Sequence, residues 1–199
     1  RKLIVGFSDM TLILCAISKL AKIPTIHGAT LSRFFELRTS AEREESVNTL
    51  IKLLSDETYR LNIEGEILRP GQAQGRLIVG NLTMLTSLIG TPWDLDYTDA
   101  ILVIEETKEA PYRVHRALMQ LNQAGKFDTL AGLCFGQFTA PEHRHGPTIL
   151  EIIEGSVKDI LLGTYFPVLK NLPLGHVDRN LPLPLICKAQ IIDNRLETL

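Results

Sequence analysis

The sequence predicts an α/β protein: the end of a doubly wound parallel-sheet layer, followed by a C-terminal mixed-sheet, barrel-like domain with helices. Three observations carry that expectation. A short run of β-formers at residues 2–5 stops at Gly6, and an apolar run at helical spacing starts within a few residues. Strand and helix patterns then alternate through about residue 56, as parallel strands joined by crossover helices require. Around residues 57–68 the texture changes to short strands punctuated by Gly and Pro, so the expected division is 1–60 and 61–199.

Taken in order, residues 12–21 carry apolar side chains at helical spacing and end in Lys19 and Lys22, which suit a helix C-terminus. Residues 24–28 read as a short strand and turn, and 31–37 as a short helix. Thr39 with Glu42 three residues on forms a capping-box pattern, opening a helix to about residue 54. Residues 59–68 alternate as a strand, and Arg69-Pro70-Gly71 is a turn. The run 75–81 is a strand ending at Gly80-Asn81, and 82–88 a buried helix closed by Gly90 and Pro92. Residues 100–104 form a fully apolar strand running into Glu105-Glu106. Pro111 starts a helix over 112–123 with Val114, Leu118 and Leu121 on one face. A strand over 130–138, a helix opened by Pro147 over 148–162 and a strand over 166–169 follow. Residues 182–188 and 190–193 close the chain as two strands, or as one, because the join is too short for a clear turn.

Composition sets the outer bounds. The 199 residues are 45% hydrophobic and 22% charged, as in a soluble globular protein. A net charge of −2 gives no electrostatic case for nucleic acid or an anionic membrane as partner. The three cysteines, Cys15, Cys134 and Cys187, lie far apart in apolar runs and read as reduced, buried thiols. No apolar run reaches the roughly 18 residues of a transmembrane helix, and the start carries no signal-peptide pattern. Arg1 opens the chain almost directly on a strand, and few further parallel strands follow. The expectation is the C-terminal part of a longer protein.

Three polar residues share one placement, at or near the end of an apolar stretch: Ser8, Glu105 and His176. Strand ends are where α/β proteins gather active sites. These are also the types acyl transfer needs: a nucleophile, a base, and a carboxylate to orient the base. Ser8 sits at a strand–turn–helix corner like a nucleophile elbow, although Met10 stands where G-x-S-x-G has its second glycine. Each residue also has a plain reading. Ser8 and Asp9 suit helix caps, Glu105 a salt-bridge partner, and His176 a loop histidine satisfied by backbone. Glu142, His143 and His145 form a polar loop rather than a metal pair, and His115 is a helix-surface residue. Trp93 and Tyr97 suit either a pocket wall or the core.

Gly6-Phe7-Ser8-Asp9-Met10-Thr11 resembles the elbow of the LD-carboxypeptidases, a family of serine peptidases that includes murein tetrapeptide carboxypeptidases and microcin-immunity peptidases. The likeness continues in order through His27-Gly28, Gly80-Asn81-Leu82-Thr83, Gly90-Thr91-Pro92 and residues 101–105. It extends to Glu109, Pro111, Tyr112 and Arg116, and to Leu174-Gly175-His176 with Asn180-Leu181-Pro182. The resemblance implies a flavodoxin-like N-terminal domain, of which residues 1–60 would be the end, and an LD-carboxypeptidase domain over 61–199. It implies a catalytic Ser8, Glu105 and His176, with the Asp9 amide as an oxyanion donor and Gly80 and Asn81 at the substrate. Glu106 leaves a one-residue ambiguity over the acid; Glu105 is favoured because it directly follows the apolar strand. Arg76, Arg113 and Arg116 are available cations for a substrate carboxylate, with Arg76 named for the site.

The implied reaction hydrolyses an L–D peptide bond and releases D-alanine from a murein tetrapeptide in cell-wall recycling. It needs no metal or cofactor, and implies a cytoplasmic homodimer. The alternatives are a microcin-immunity-type peptidase acting on peptidyl or aminoacyl nucleotide conjugates, with Trp93 to stack on the base, and a non-catalytic fragment serving as a binding module.

Overall fold

A computed structural model describes residues 3–28, 40–56, 58–139, 148–160 (backbone only at 160) and 162–199. Among these residues the strands form two sheets. The smaller joins β1 (Val5–Gly6), β2 (Ile26–His27) and β9 (Leu183–Pro184). β1 and β2 are parallel, linked by α1 (Thr11–Ala21), which is the expected strand–helix–strand unit. β9 closes the other side of β2 in antiparallel fashion, so a segment from late in the chain completes the early sheet.

The larger sheet runs in the order β3 (Asn62–Glu64), β11 (Arg195–Thr198), β10 (Lys188–Ile192), β5 (Ala73–Asn81), β6 (Ala100–Glu106), β7 (Gly132–Phe138), β8 (Val168–Lys170), β4 (Glu66–Arg69). Its centre, β5 to β8, is parallel, and its flanks are antiparallel. β6 is buried along its whole length, as a central parallel strand covered on both faces must be. The edge strands β3 and β4 are separated only by Gly65. Two Cα steps span at most about 7.6 Å, so the sheet curls until its edges meet, giving the barrel-like form. A Cβ at Gly65 would lie 2.6 Å from Leu172 Cδ1, so only glycine fits this seam.

The helices follow from their apolar faces and caps. α2 (Ala41–Ser55) is capped by Ser40, whose hydroxyl accepts from Arg43 N. α3 (Leu82–Ser87) is capped by Asn81, whose Oδ1 accepts from Met84 N. α4 (Pro111–Gln123) starts on Pro111 and buries Val114, Leu118 and Leu121. α5 (Ile149–Ile160) lies beside it, joined by the 2.8 Å contact of His115 Nδ1 with Ser156 Oγ.

Several expectations need correction. The strand over 59–68 is two strands on opposite edges of the sheet, because Gly65 breaks it at the seam. The α2 cap is Ser40 rather than Thr39; Thr39, like the helix expected over 31–37, lies outside the described residues. The final stretch divides differently. Leu183–Pro184 joins the small sheet, and the closing hairpin is β10–β11, turning at Asp193-Asn194 with Asp193 in the left-handed region. His115 bridges two helices rather than lying on a free surface. Tyr97 is core, with Lys126 Nζ 4.7 Å from its ring centre, whereas Trp93 is 46% exposed.

The two sheets meet where α1 begins. Asn81 N donates to Thr11 Oγ1 at 3.2 Å, and at Gly80 a Cβ would overlap Thr11 Cγ2. Gly80→Ala should therefore destabilise the fold by about 1–3 kcal/mol, the usual cost of forcing an extra carbon into a packed contact. The check is a lower urea midpoint at unchanged m-value.

Candidate active site

The site is built at the ends of three segments that lie far apart in sequence. The first is the corner after β1. Phe7 is extended (φ −152°, ψ 155°), and Ser8 turns to φ 59°, in the left-handed region that a non-glycine residue rarely occupies. A 3₁₀ turn over Ser8–Met10 then leads into α1, with Met10 N donating to Phe7 O. No side chain caps this turn, so Ser8 is not a helix cap. The missing second glycine of the elbow pattern also has an explanation. A Cβ at Gly6 would sit 2.7 Å from Met10 Cβ, so only one of the two can carry a side chain, and Gly6 is the one that does not.

Glu105 is the second part, at the end of β6 and wholly buried. The third is His176, in the loop between β8 and β9, with its side chain 19% exposed. The three join in one hydrogen-bonded series. His176 Nδ1 is 2.8 Å from Glu105 Oε2, and His176 Nε2 is 3.1 Å from Ser8 Oγ. With its proton on Nδ1, the imidazole donates to the carboxylate and accepts from the hydroxyl.

The loop that carries His176 is held from several sides. Gly175 has φ +128°, and a Cβ there would lie 3.0 Å from Gln137 O and 3.3 Å from Glu105 Oε2. Gly175 N donates to Asn180 Oδ1, and Asn180 N donates to Ser46 Oγ on α2. Arg179 grips Glu45 with two bonds of 2.7 and 2.8 Å, and Arg43 pairs with Asp178.

The adjacent carboxylates part company because successive strand residues face opposite sides. Glu106 accepts from Asn81 Nδ2, Thr83 N, Thr83 Oγ1 and Thr107 N, a full set of donors away from His176. Asn81 is itself fully engaged, through Thr11, Met84 and Glu106. Gly80 is packed against Thr11 and Leu85. Both residues thus make supporting contacts in the fold beside the site. Arg76 is not brought to the site. It lies five residues up β5 from Asn81, roughly 16 Å at strand spacing, and pairs with Asp96 at 3.0 Å. Asp9 follows Ser8 with an exposed side chain. Its amide stands at the open end of the turn, where helical N–H groups lack internal acceptors.

The sequence reading gave His27 no chemical part. Its imidazole is buried, with Nε2 4.0 Å from Glu105 Oε1, and neither atom has a hydrogen-bond partner. The Phe7 ring lies against both histidines, with centroid distances of 5.1 Å to His27 and 4.5 Å to His176. Burial, with the nearby His176, pushes the His27 pKa down to about 3, so this ring is neutral. His27 stands at the end of an apolar strand, the same signal that singles out Ser8 and Glu105.

Among the described residues no group of three or more His, Cys, Asp and Glu side chains is placed to hold a metal, and His143 and His145 lie outside them. No helix of the described residues is long and apolar enough to cross a membrane. The three cysteines are unpaired, and burial pushes the Cys15 and Cys187 thiols up to about 12.

A serine–histidine–carboxylate series with a buried carboxylate, set on a left-handed strand–helix corner, resembles the equipment of serine hydrolases, and the sequence comparisons narrow the class. The LD-carboxypeptidase C-terminal domain matches residues 74–191, and the chain belongs to the LD-carboxypeptidase family. The murein tetrapeptide carboxypeptidase of Pseudomonas aeruginosa is 31% identical over 199 residues, covering 97% of this chain and 64% of that protein. The microcin C7 self-immunity protein of Escherichia coli is 27% identical over 227 aligned positions, covering 98% of this chain and 64% of that protein. The crystal structure of muramoyltetrapeptide carboxypeptidase from Oxalobacter formigenes is similar with a TM-score of 0.85 and 27% identity, over 99% of this chain and 68% of that one. The chain spans 59–64% of the length of the curated relatives it matches.

The neutral state of His27 makes a pH prediction. Its folded pKa of about 3 lies below the ordinary 6.5, so the unfolded chain binds the extra proton and stability rises with pH. Between pH 7 and pH 5 this group alone should remove about 2 kcal/mol of stability. Denaturation curves at the two pH values check it: the loss should shrink by that amount in His27→Gln.

Proposed function

We propose that this chain carries the catalytic centre of a serine LD-carboxypeptidase that releases D-alanine from murein tetrapeptides. The observation that carries the reading is the continuous series Ser8 Oγ–His176 Nε2 and His176 Nδ1–Glu105 Oε2, set on a left-handed serine.

In this mechanism His176 Nε2 takes the Ser8 proton as Oγ attacks the carbonyl of the L–D peptide bond. The resulting oxyanion faces the N-terminal end of the turn, where the Asp9 amide is a donor. Collapse of the tetrahedral intermediate breaks the C–N bond, and His176 returns the proton to the departing amine of D-alanine. Water, deprotonated by His176, then attacks the acyl-serine, and the hydroxyl of Ser8 is restored. Glu105 holds the tautomer with the proton on Nδ1 and stabilises the imidazolium that forms in each half-reaction.

The domain division at about residue 60, a cytoplasmic setting and a homodimer belong to the same proposal. The cation for the substrate carboxylate is to be sought other than at Arg76, which lies five residues before Asn81 on β5 and pairs with Asp96. The microcin-immunity alternative asks for an aromatic surface near the nucleophile. The groove bordered by Trp93 is lined by Leu12, Ile13, Ala16, Ile17, Leu20 and Leu88, and includes none of Ser8, Glu105 and His176. That geometry favours the murein peptide over a nucleotide conjugate.

Two sets of variants test the proposal by D-alanine release from a murein tetrapeptide. Ser8→Ala should lower kcat by about a million-fold, to background. Activity retained in Ser8→Ala would refute the nucleophile, and an inactive parent would point to the nucleotide conjugate or to a binding role. Glu105→Gln should cost about 10⁴-fold in kcat with folding intact, because the amide no longer fixes the histidine tautomer. Glu106→Gln should instead lower the melting temperature, since its carboxylate accepts four hydrogen bonds from Asn81, Thr83 and Thr107.

A further inference from the structure

Glu105 uses one carboxylate oxygen. Oε2 meets His176, while Oε1 is buried without a hydrogen-bond partner. A buried carboxylate oxygen left alone is costly, and every such atom asks for an explanation. His27 Nε2 lies 4.0 Å from it, likewise buried and without a partner. Two orphaned polar atoms that face one another in a buried site are complementary when one carries a proton and the other a charge.

We propose that His27 is a positioning residue for the Glu105–His176 pair, its neutral imidazole turning the Nε2–H toward Oε1 and so fixing which carboxylate oxygen faces His176. The inference rests on the catalytic reading given above. At 4.0 Å the link is an N–H dipole on a carboxylate rather than a formed hydrogen bond. Catalytic hydrogen bonds are commonly long before substrate binds and tighten in the complex.

Three features make the arrangement specific. Among the described residues Glu105 and His176 are the titratable groups facing His27, and the low proton affinity of its buried ring keeps it uncharged beside them. A charged His27 would compete with the His176 imidazolium for the same carboxylate. A neutral donor orients Glu105 while leaving its charge available. Phe7, the residue before the nucleophile, packs against both rings. Gly28 fixes the backbone at this point: its N–H donates to Gly6 O, and a Cβ there would lie 2.7 Å from Pro182 Cβ. The β2 strand end that bears His27 is thereby locked to the strand that leads into Ser8.

The test uses the protein with His27→Leu, which has no donor, and with His27→Gln, whose side-chain amide restores one. Two rates are read for each: D-alanine release from a murein tetrapeptide, and labelling of Ser8 by a fluorophosphonate. The expected result is a loss of about 10- to 100-fold in kcat and in labelling rate for His27→Leu, with KM within about twofold. Losses of that size are usual when a partner orienting a functional group is removed. His27→Gln should recover most of both rates. Full rates in His27→Leu would overturn the inference. So would equal losses in both variants, or a loss confined to KM, which would make His27 a packing residue only. A parent protein that neither releases D-alanine nor labels at Ser8 would refute the catalytic reading itself, and this inference with it. Labelling without D-alanine release would leave the labelling rates to decide on His27.

Discussion

A fully buried carboxylate at Glu105 is the constraint on which the surrounding structure turns. A charge in that position is tolerated only if its surroundings are arranged around it, since an unpaired buried ion is strongly destabilising. The hydrogen bond from His176 meets one oxygen, and holding that bond in turn requires a fixed loop. The loop is fixed by backbone conformation at Gly175, by the Asn180 side chain, and by α2 through Ser46, Glu45 and Arg43. Much of what the chain builds between residues 40 and 56 serves to hold residues 175–180 in place.

The same strand places a second carboxylate next door, and the pleat gives the two opposite environments. Glu106 gathers donors from the start of α3 and from Thr107, so it knits the end of β6 to the helix beside it. One carboxylate is spent on the fold and its neighbour is left with one oxygen for His176 and one facing His27. The identity of the two side chains is the same; only the side of the strand differs.

Much of this was legible in the sequence, for identifiable reasons. The apolar run before Glu105, the strand-to-helix switch at Gly6 and the spacing of Val114, Leu118 and Leu121 are local patterns, and each element formed where its pattern stood. The preference for Glu105 over Glu106 rests on its place directly after the apolar strand, with strand alternation turning Glu106 to the other side. What was not legible depends on contacts between distant segments. The split at Gly65 exists because the sheet closes on itself, and nothing within residues 59–68 records that closure. The supporting parts of Gly80 and Asn81 arise from Thr11, 70 residues earlier. Arg76 is close to Asn81 in sequence but roughly 16 Å from it at strand spacing, and only the strand geometry records that separation. His27 carries the same strand-end signal as Ser8 and Glu105, but a histidine on an apolar strand is also what a satisfied core residue looks like.

The three residues of the proposed centre come from different parts of the architecture. Ser8 follows the small sheet, Glu105 ends the central strand of the large one, and His176 rides on the loop between β8 and β9. Their mutual distances therefore depend on how the two sheets are joined rather than on either alone. The join is short and direct. Asn81 lies opposite Glu105 in the β5–β6 register, and its N–H donates to the hydroxyl of Thr11 at the start of α1, three residues after Ser8. The glycine before Asn81 lets Thr11 approach that closely. β9 completes the connection, since the chain leaving the His176 loop pairs at once with β2, beside His27. A shift of the small sheet would thus move the nucleophile, the histidine loop and His27 together. The Ser8–His176 contact is tied to the strand pairing between β2 and β9, which makes the geometry of the site a property of the assembled fold.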